Sequence, residues 1–326
     1  MENAAYGGSR PSHSGGAFLV GGGRRVHLVL AGRFSGRLAR LAAFASFAAG
    51  VFFAVKIFFN AGAAAKKFFH LMKILTIDIG NTRTHCALVD AGGGSYCVLS
   101  ARGYPSADFS EIFLKDRLFA ESGAEAVSWC SVVPRYSERL KNALAGIENM
   151  QLTHENSPIP LDVKFPEQVG QDRIADAAGA GLFFEPPYIV VDMGTAVTID
   201  LVDARGCYCG GAIAPGMHAF TDYLGERAAQ LPKINPVSAD YDMSIGKDTV
   251  SAMLVGCVKG FCKLADGIIG DIERDFFGGA PAREKCVFTG GSVGLLPKKW
   301  LADRKIESNL ANLGLAYSFL KNKGRA

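Results

Sequence analysis

Two short phrases in this chain have the residue types to handle a phosphate and a cation together. Residues 74–82 read Ile-Leu-Thr-Ile-Asp-Ile-Gly-Asn-Thr, and residues 188–195 read Tyr-Ile-Val-Val-Asp-Met-Gly-Thr. Each is an apolar, β-branched run that ends in Asp-x-Gly and then a small amide or hydroxyl residue. A strand ending this way delivers one carboxylate and a turn free of side chains to the same point. Carboxylate oxygens suit hydrated Mg²⁺ or a monovalent cation. Glycine lets backbone N–H groups approach phosphate oxygens closely. Taken singly, each phrase is also an ordinary strand-to-turn cap. As a pair, with Asp78 and Asp192 114 positions apart, they predict two similar half-domains facing each other across one nucleotide.

Further candidates lie between and after these phrases. Val169-Gly170-Gln171-Asp172-Arg173 ends a proline-bearing segment and opens a helix. An Asp beside an Arg can hold an acceptor's carboxylate and take its hydroxyl proton, the two needs of a phosphoryl acceptor site. On spacing alone, Asp172 reads better as a first-turn residue favoured by the helix dipole. Thr289-Gly290-Gly291-Ser292 follows a third apolar strand; alone it reads best as a strand-to-helix turn, though its glycines could let adenine and ribose lie against backbone. Gly210–Gly216 closes another strand, and Gly246-Lys247-Asp248-Thr249 precedes a helix that Asp or Thr can cap. The chain has no Gly-x-x-x-x-Gly-Lys-Ser/Thr loop, which excludes a Walker-type kinase. His85, His154 and His218 show neither triad nor ligand spacing and read as structural or exposed.

The elements that must carry these residues follow from the pattern. Strands are predicted at 73–78, 84–89 and 95–100, with Gly92-Gly93-Gly94 as a hairpin turn. A helix at 108–121 presents Phe109, Ile112, Phe113 and Leu118 on one face. A strand at 126–132 and a helix at 136–147 come next. Segment 156–170, with Pro158, Pro160 and Pro166, is an extended crossing loop, and 171–184 is an Ala-rich helix. The order then repeats, with strands at 188–192, 198–203 and 210–214, helices near 216–229 and 247–275, a strand at 285–289 and a helix at 309–322. The β-β-β-α-β-α order, given twice, is that of the actin-like, sugar-kinase-like and Hsp70-like ATPase fold. The predicted fold class is α/β: two tandem actin-like (ribonuclease H-like) half-domains with mixed five-stranded sheets and the nucleotide in the cleft between them.

Composition sets the limits. A chain of 326 residues, 49% hydrophobic and 20% charged, can bury two cores. Residues 1–71 hold nine of its 35 Lys and Arg and one of its 31 acids, Glu2. The leader therefore carries +8 and the body −4, which gives no case for nucleic-acid binding. Residues 1–36 are rich in Gly, Ser and Arg without stable periodicity. Residues 41–65 are almost wholly apolar and long enough to span a bilayer, broken by Lys56 and Asn60. The leader also resembles a transit peptide. The preferred reading makes 1–71 an extension outside the fold, for instance from an upstream start codon. Domains are then expected at 72–185 and 186–326, with no membrane contact unless 41–65 is a real anchor. None of the eight cysteines forms a Cys-x-x-Cys pair; they read as reduced thiols of a cytoplasmic protein.

Taken in order, seven phrases resemble the type III pantothenate kinase family: Asp78–Thr82, Ser131-Val-Val-Pro134, Val169–Arg173, Asp192-Met-Gly-Thr-Ala196, Gly210–Gly216, Gly246–Thr249 and Thr289–Gly291. The resemblance covers about residues 72–322, nearly the whole body, while the 71-residue leader is not a family feature. It implies ATP-dependent phosphorylation of pantothenate to 4′-phosphopantothenate, the first step of coenzyme A synthesis. By that resemblance Asp78, Ile79, Gly80, Asn81, Thr82, Arg83, Thr84 and His85 form the first phosphate-binding segment, and Thr195 touches ATP. Gly170, Gln171, Asp172, Arg173 and Thr249 bind pantothenate, with Asp172 as proton acceptor, and Asp192 binds K⁺ or NH₄⁺. ATP, Mg²⁺ and a homodimer are implied with them. The alternatives are a kinase of this fold for another small hydroxy acid and a non-catalytic accessory or regulatory relative. The retention of Asp78, Asp172 and Asp192 favours catalysis.

Overall fold

The structure is a computed structural model, and it describes residues 16–21, 26–31, 71–109 and 114–325. It divides into two compact units, 1–68 and 69–326. In the first unit β1 (Gly16–Gly21) pairs antiparallel with β2 (Val26–Ala31). This hairpin was not anticipated from the sequence. Its strands, Ala-Phe-Leu-Val and Val-His-Leu-Val-Leu, are good β formers around a glycine-rich connection, but overall composition masks them. The apolar stretch 41–65 lies outside the described residues. Among the described residues no helix is long and apolar enough to cross a membrane.

The second unit contains two five-stranded sheets. The first has the order β5-β4-β3-β6-β7, from β3 (Met72–Ile79), β4 (Arg83–Gly92), β5 (Ser95–Pro105), β6 (Ala126–Ser131) and β7 (Asn149–Gln151). The second has the order β10-β9-β8-β11-β12, from β8 (Tyr188–Met193), β9 (Ala196–Val202), β10 (Tyr208–Pro215), β11 (Cys286–Thr289) and β12 (Lys305–Ile306). In each sheet the first three strands pair antiparallel and the last two join parallel. This repeated mixed order is the actin-like half-domain pattern expected from the sequence. The edge strands β7 and β12, three and two residues long, are too short to leave a periodic signal.

The longer helices are α1 (Pro134–Ala143), α2 (Gln171–Ala180), α3 (Met217–Arg227), α4 (Thr249–Leu254), α5 (Gly260–Phe276) and α6 (Leu310–Asn322). The single helix expected at 247–275 is interrupted by a π-turn at Val255–Lys259 between α4 and α5. The helix expected at 108–121 becomes a 3₁₀ turn at Ser106–Asp108 and helical turns at Leu114–Phe119 and Ala120–Ser122; Ile112 and Phe113 lie outside the described residues. The α1 helix begins two residues earlier than expected, because Pro134 occupies its first turn, where a missing N–H costs nothing.

Strand alternation decides what each sheet face meets. On β3, Leu75, Ile77 and Ile79 point into a core with Trp129, Tyr136 and Leu140. The alternate residues Met72 and Ile74 pack on Leu313, Ala316 and Phe319 of α6. Next in that alternate series is Thr76, which with its carbonyl accepts from the Asn312 amide of α6, and then Asp78. On β8, Ile189, Val191 and Met193 enter one core, while Tyr188 and Val190 pack on Ala177 and Ala180 of α2 and Leu310 of α6. Asp192 continues this second series. The faces of both sheets that carry the aspartates are thus covered by the same helix pair. The two helices touch backbone to backbone, since a Cβ on Gly314 would overlap the Ala175 carbonyl and one on Gly179 the Leu310 carbonyl.

Candidate active site

The strand phases bring Asp78, Asp192 and Asp200 to the surfaces around α2, which itself carries Asp172 and Asp176. Asp78 Oδ1 accepts from the Cys130 thiol at 3.3 Å. Asp172 lies in the first turn of α2, where its Oδ1 accepts from the Arg173 N–H at 2.8 Å. Asp192, next to last in β8, pairs with Thr289 of β11. The next residue, Gly290, has φ +95°, and a Cβ there would overlap Asp192 Oδ1. Only glycine fits a left-handed residue pressed on that carboxylate.

Burial without enough compensating charge defines the electrostatics. Desolvation, reinforced by the charge of Asp172, raises Asp78 from the usual 3.8 to about 7. Burial, then the charges of Asp172 and Asp78, raises Asp192 to about 7 as well. Asp172 is raised chiefly by burial, opposed by the N–H and charge of Arg173. Asp176 is raised well above the carboxylate range by burial and then by Asp192 and Asp78, and its Oδ1 is buried without a hydrogen-bond partner. An uncompensated set of carboxylates with an orphaned oxygen fits a cation. Among the described residues no three acidic, His or Cys groups are spaced to hold a metal by themselves. Mg²⁺ keeps several waters and takes one or two carboxylates plus substrate phosphates, a demand that Asp78 and its neighbours can meet.

Two turns frame this site. In the first, Gly80 N–H donates to the Arg83 carbonyl at 3.0 Å. Ser106 holds the turn from outside: its hydroxyl donates to the Gly80 carbonyl at 2.8 Å and meets Thr84 Oγ1 at 3.0 Å, and its N–H donates to the Thr82 carbonyl at 3.0 Å. In the second, Gly194 N–H donates to the Ala196 carbonyl at 3.0 Å, and Ser292 N–H donates to the Met193 carbonyl at 2.8 Å. The turns meet where Thr82 Oγ1 lies 3.3 Å from Thr195 Oγ1. Asn81, Thr82 and Arg83 are exposed at the mouth, while Ile79 and Thr84 are buried and His85 is half-buried. Ile79 and Thr84 therefore offer a ligand backbone only.

The segment around Gly170 is fixed from both sides. Gln171 Oε1 accepts from Ser131 N–H at 3.0 Å and from Gln151 Nε2 at 3.2 Å. Arg173 lies across Asp200, donating from Nε at 3.2 Å to each carboxylate oxygen and from Nη2 to Oδ1. Thr249 stands apart: among the described residues no hydrogen bond or ion pair of the carboxylate cluster reaches it. It opens α4 behind the Asp248–Ser251 capping box and lines an open apolar groove of 830 Å³ with Phe220, Tyr223, Leu224 and Met253.

Sequence reading missed Ser106, Asp176, Asp200 and Tyr208. Asp176 carried a usable signal, since it follows Asp172 by four residues and so shares its helix face. Asp200 is the one charged residue in the apolar run Val197–Val202.

Opposed Asp-x-Gly turns over a buried carboxylate cluster, on paired actin-like sheets, are the arrangement expected of a phosphotransferase. Comparison with known proteins gives the particular family. The profile described as type III pantothenate kinase matches residues 74–271. A type III pantothenate kinase of Akkermansia muciniphila is 36% identical over 228 residues, 70% of this chain and 90% of that protein. One of Caulobacter vibrioides is 31% identical, over 77% of this chain and 98% of its own length. A solved Campylobacter jejuni structure described as a Baf family transcriptional activator shares the fold, with TM-score 0.53 and 20% identity over 77% of this chain and 99% of its own. The chain belongs to the type III pantothenate kinase family, as its ordered motifs implied.

Proposed function

We propose that this chain transfers the γ-phosphoryl group of ATP to the hydroxyl of pantothenate, giving 4′-phosphopantothenate, the first step of coenzyme A synthesis, in the cytoplasm. The observation that carries this reading is the convergence of Asp78, Asp172 and Asp192, from three separate elements, on one shielded site in a member of this family. Asp172 takes the hydroxyl proton at a carboxylate oxygen. Burial supports that role, because a carboxylate lifted toward neutral pH is a better base there. Thr82, Thr195 and the N–H groups of the two turns hold the phosphate chain. Gly170, Gln171 and Arg173 hold the acceptor.

Asp78 would hold Mg²⁺ through its waters and Asp192 would hold K⁺ or NH₄⁺; when bound, these ions neutralise the charge that develops on the transferring group. We read 72–185 and 186–326 as the two half-domains, with 1–71 outside the fold. A second copy of the chain covers the apolar groove lined by Phe220 and Tyr223 and brings Thr249 to the acceptor. The exposure of Ile213 (65%) and Tyr223 (61%) beside it supports that reading. The test is a coupled ATP assay on the full chain with and without pantothenate, in K⁺ and in Na⁺, beside light scattering for mass. Turnover that needs pantothenate supports the reading. ATP binding by a folded dimer without turnover overturns it.

A further inference from the structure

We infer that Asp200 and Tyr208 are positioning residues that fix the Arg173 guanidinium for the acceptor. The inference rests on the reading of Arg173 as an acceptor-binding group. Asp200 stands on β9, with its side chain 2% exposed, and takes Nε and Nη2 of Arg173, whose side chain is 16% exposed. The Tyr208 hydroxyl of β10 donates to Asp200 Oδ1 at 2.8 Å, and the Tyr208 ring lies 5.8 Å from the guanidinium carbon. Of the five N–H donors on a guanidinium, Asp200 occupies the one on Nε and one on Nη2, which leaves three, the Nη1 pair among them, for a ligand.

The placement argues for more than packing. Arg173 sits in the first turn of α2, where the helix dipole disfavours a cation. A buried ion pair is also seldom better for stability than apolar residues of the same volume. What the pair supplies is a fixed geometry one residue from Asp172. Tyr208 ties that geometry to the loop leading into α2. Its N–H donates to the Pro160 carbonyl at 2.8 Å and its carbonyl accepts from Asp162 N–H at 2.9 Å. One residue thus sets both the approach of the chain to Gly170 and the carboxylate that aims Arg173.

Steady-state kinetics of the full-length chain with ATP and pantothenate test this. Tyr208→Phe, which removes one oxygen, raises the pantothenate KM by about three- to tenfold and leaves kcat and the ATP KM within about twofold. Asp200→Asn raises the pantothenate KM by about tenfold or more, again without an equal change for ATP. If Asp200→Asn fails to fold, Tyr208→Phe decides the matter alone. A rise in both KM values together, or a lower Tm with both KM values unchanged, assigns the pair to packing and overturns the positioning role while the proposed reaction stands. A wild type without pantothenate-dependent turnover overturns the proposed reaction, and this inference with it.

Discussion

The hydroxyls of Thr82 and Thr195 lie 3.3 Å apart although 113 residues separate them in the chain. Each follows its own Asp-x-Gly turn, so the contact marks where the two sheets bring equivalent loops together. Thr195→Val keeps the shape and removes one donor from that point. It should raise the ATP KM by about tenfold and leave the pantothenate KM within about twofold. Initial rates over a range of ATP concentrations would show this, and an unchanged ATP KM would remove Thr195 from the nucleotide site.

Asp172→Asn should lower kcat by about 10²- to 10⁴-fold, the usual share of a general base. The amide is close in shape and cannot accept the proton. Because burial penalises the carboxylate, the variant should melt no lower than wild type at pH 8. Near-normal turnover from folded Asp172→Asn would end the base assignment.

The ligand-free protein should lose stability as pH rises toward 8. Asp78 and Asp192 are raised from 3.8 to about 7 by burial and by neighbouring carboxylates. Both therefore bind protons more tightly folded than unfolded. The stabilisation this gives is complete below pH 3.8 and is lost as pH rises through about 7. Melting curves at pH 5.5, 7 and 8, without nucleotide or added divalent metal, should show Tm falling across the series. A Tm that climbs over that window would contradict the electrostatics described here.

Gly290→Ala places a Cβ on Asp192 Oδ1 from a backbone at φ +95°. It should cost about 1–3 kcal/mol of stability and weaken ATP binding. Thermal denaturation with and without Mg-ATP measures both effects. A wild-type-like pair of curves would show that the β11 turn yields easily.

Much of this was legible before the structure, for identifiable reasons. The runs ending at Asp78 and Asp192 are apolar on both faces because helices cover one side and a core the other, so strand and turn were visible together. Asp200 was not, since it stands inside an element whose apolar pattern is already explained by burial, and Asp176 was legible only through its four-residue spacing from Asp172. Tyr208 was missed because β10 was read from Gly210, whereas the strand starts at Tyr208 and slips register before Gly211. The π-turn at Val255–Lys259 adds one residue to a helical turn, a change that periodicity over 28 residues does not record. Thr249 matched its motif yet lies apart from Asp172 within one chain, a separation that local sequence carries no information about.

The backbone contact of Gly179 with α6 has a mechanical meaning. Helices this close leave no side-chain layer between them, so a larger residue at either Gly179 or Gly314 would force the two helices apart. Asp172 lies on the same helix seven residues before Gly179, about 10 Å along its axis. The helix that carries Asp172 is thus held at a separation set by backbone atoms rather than by side chains that a substitution could trim.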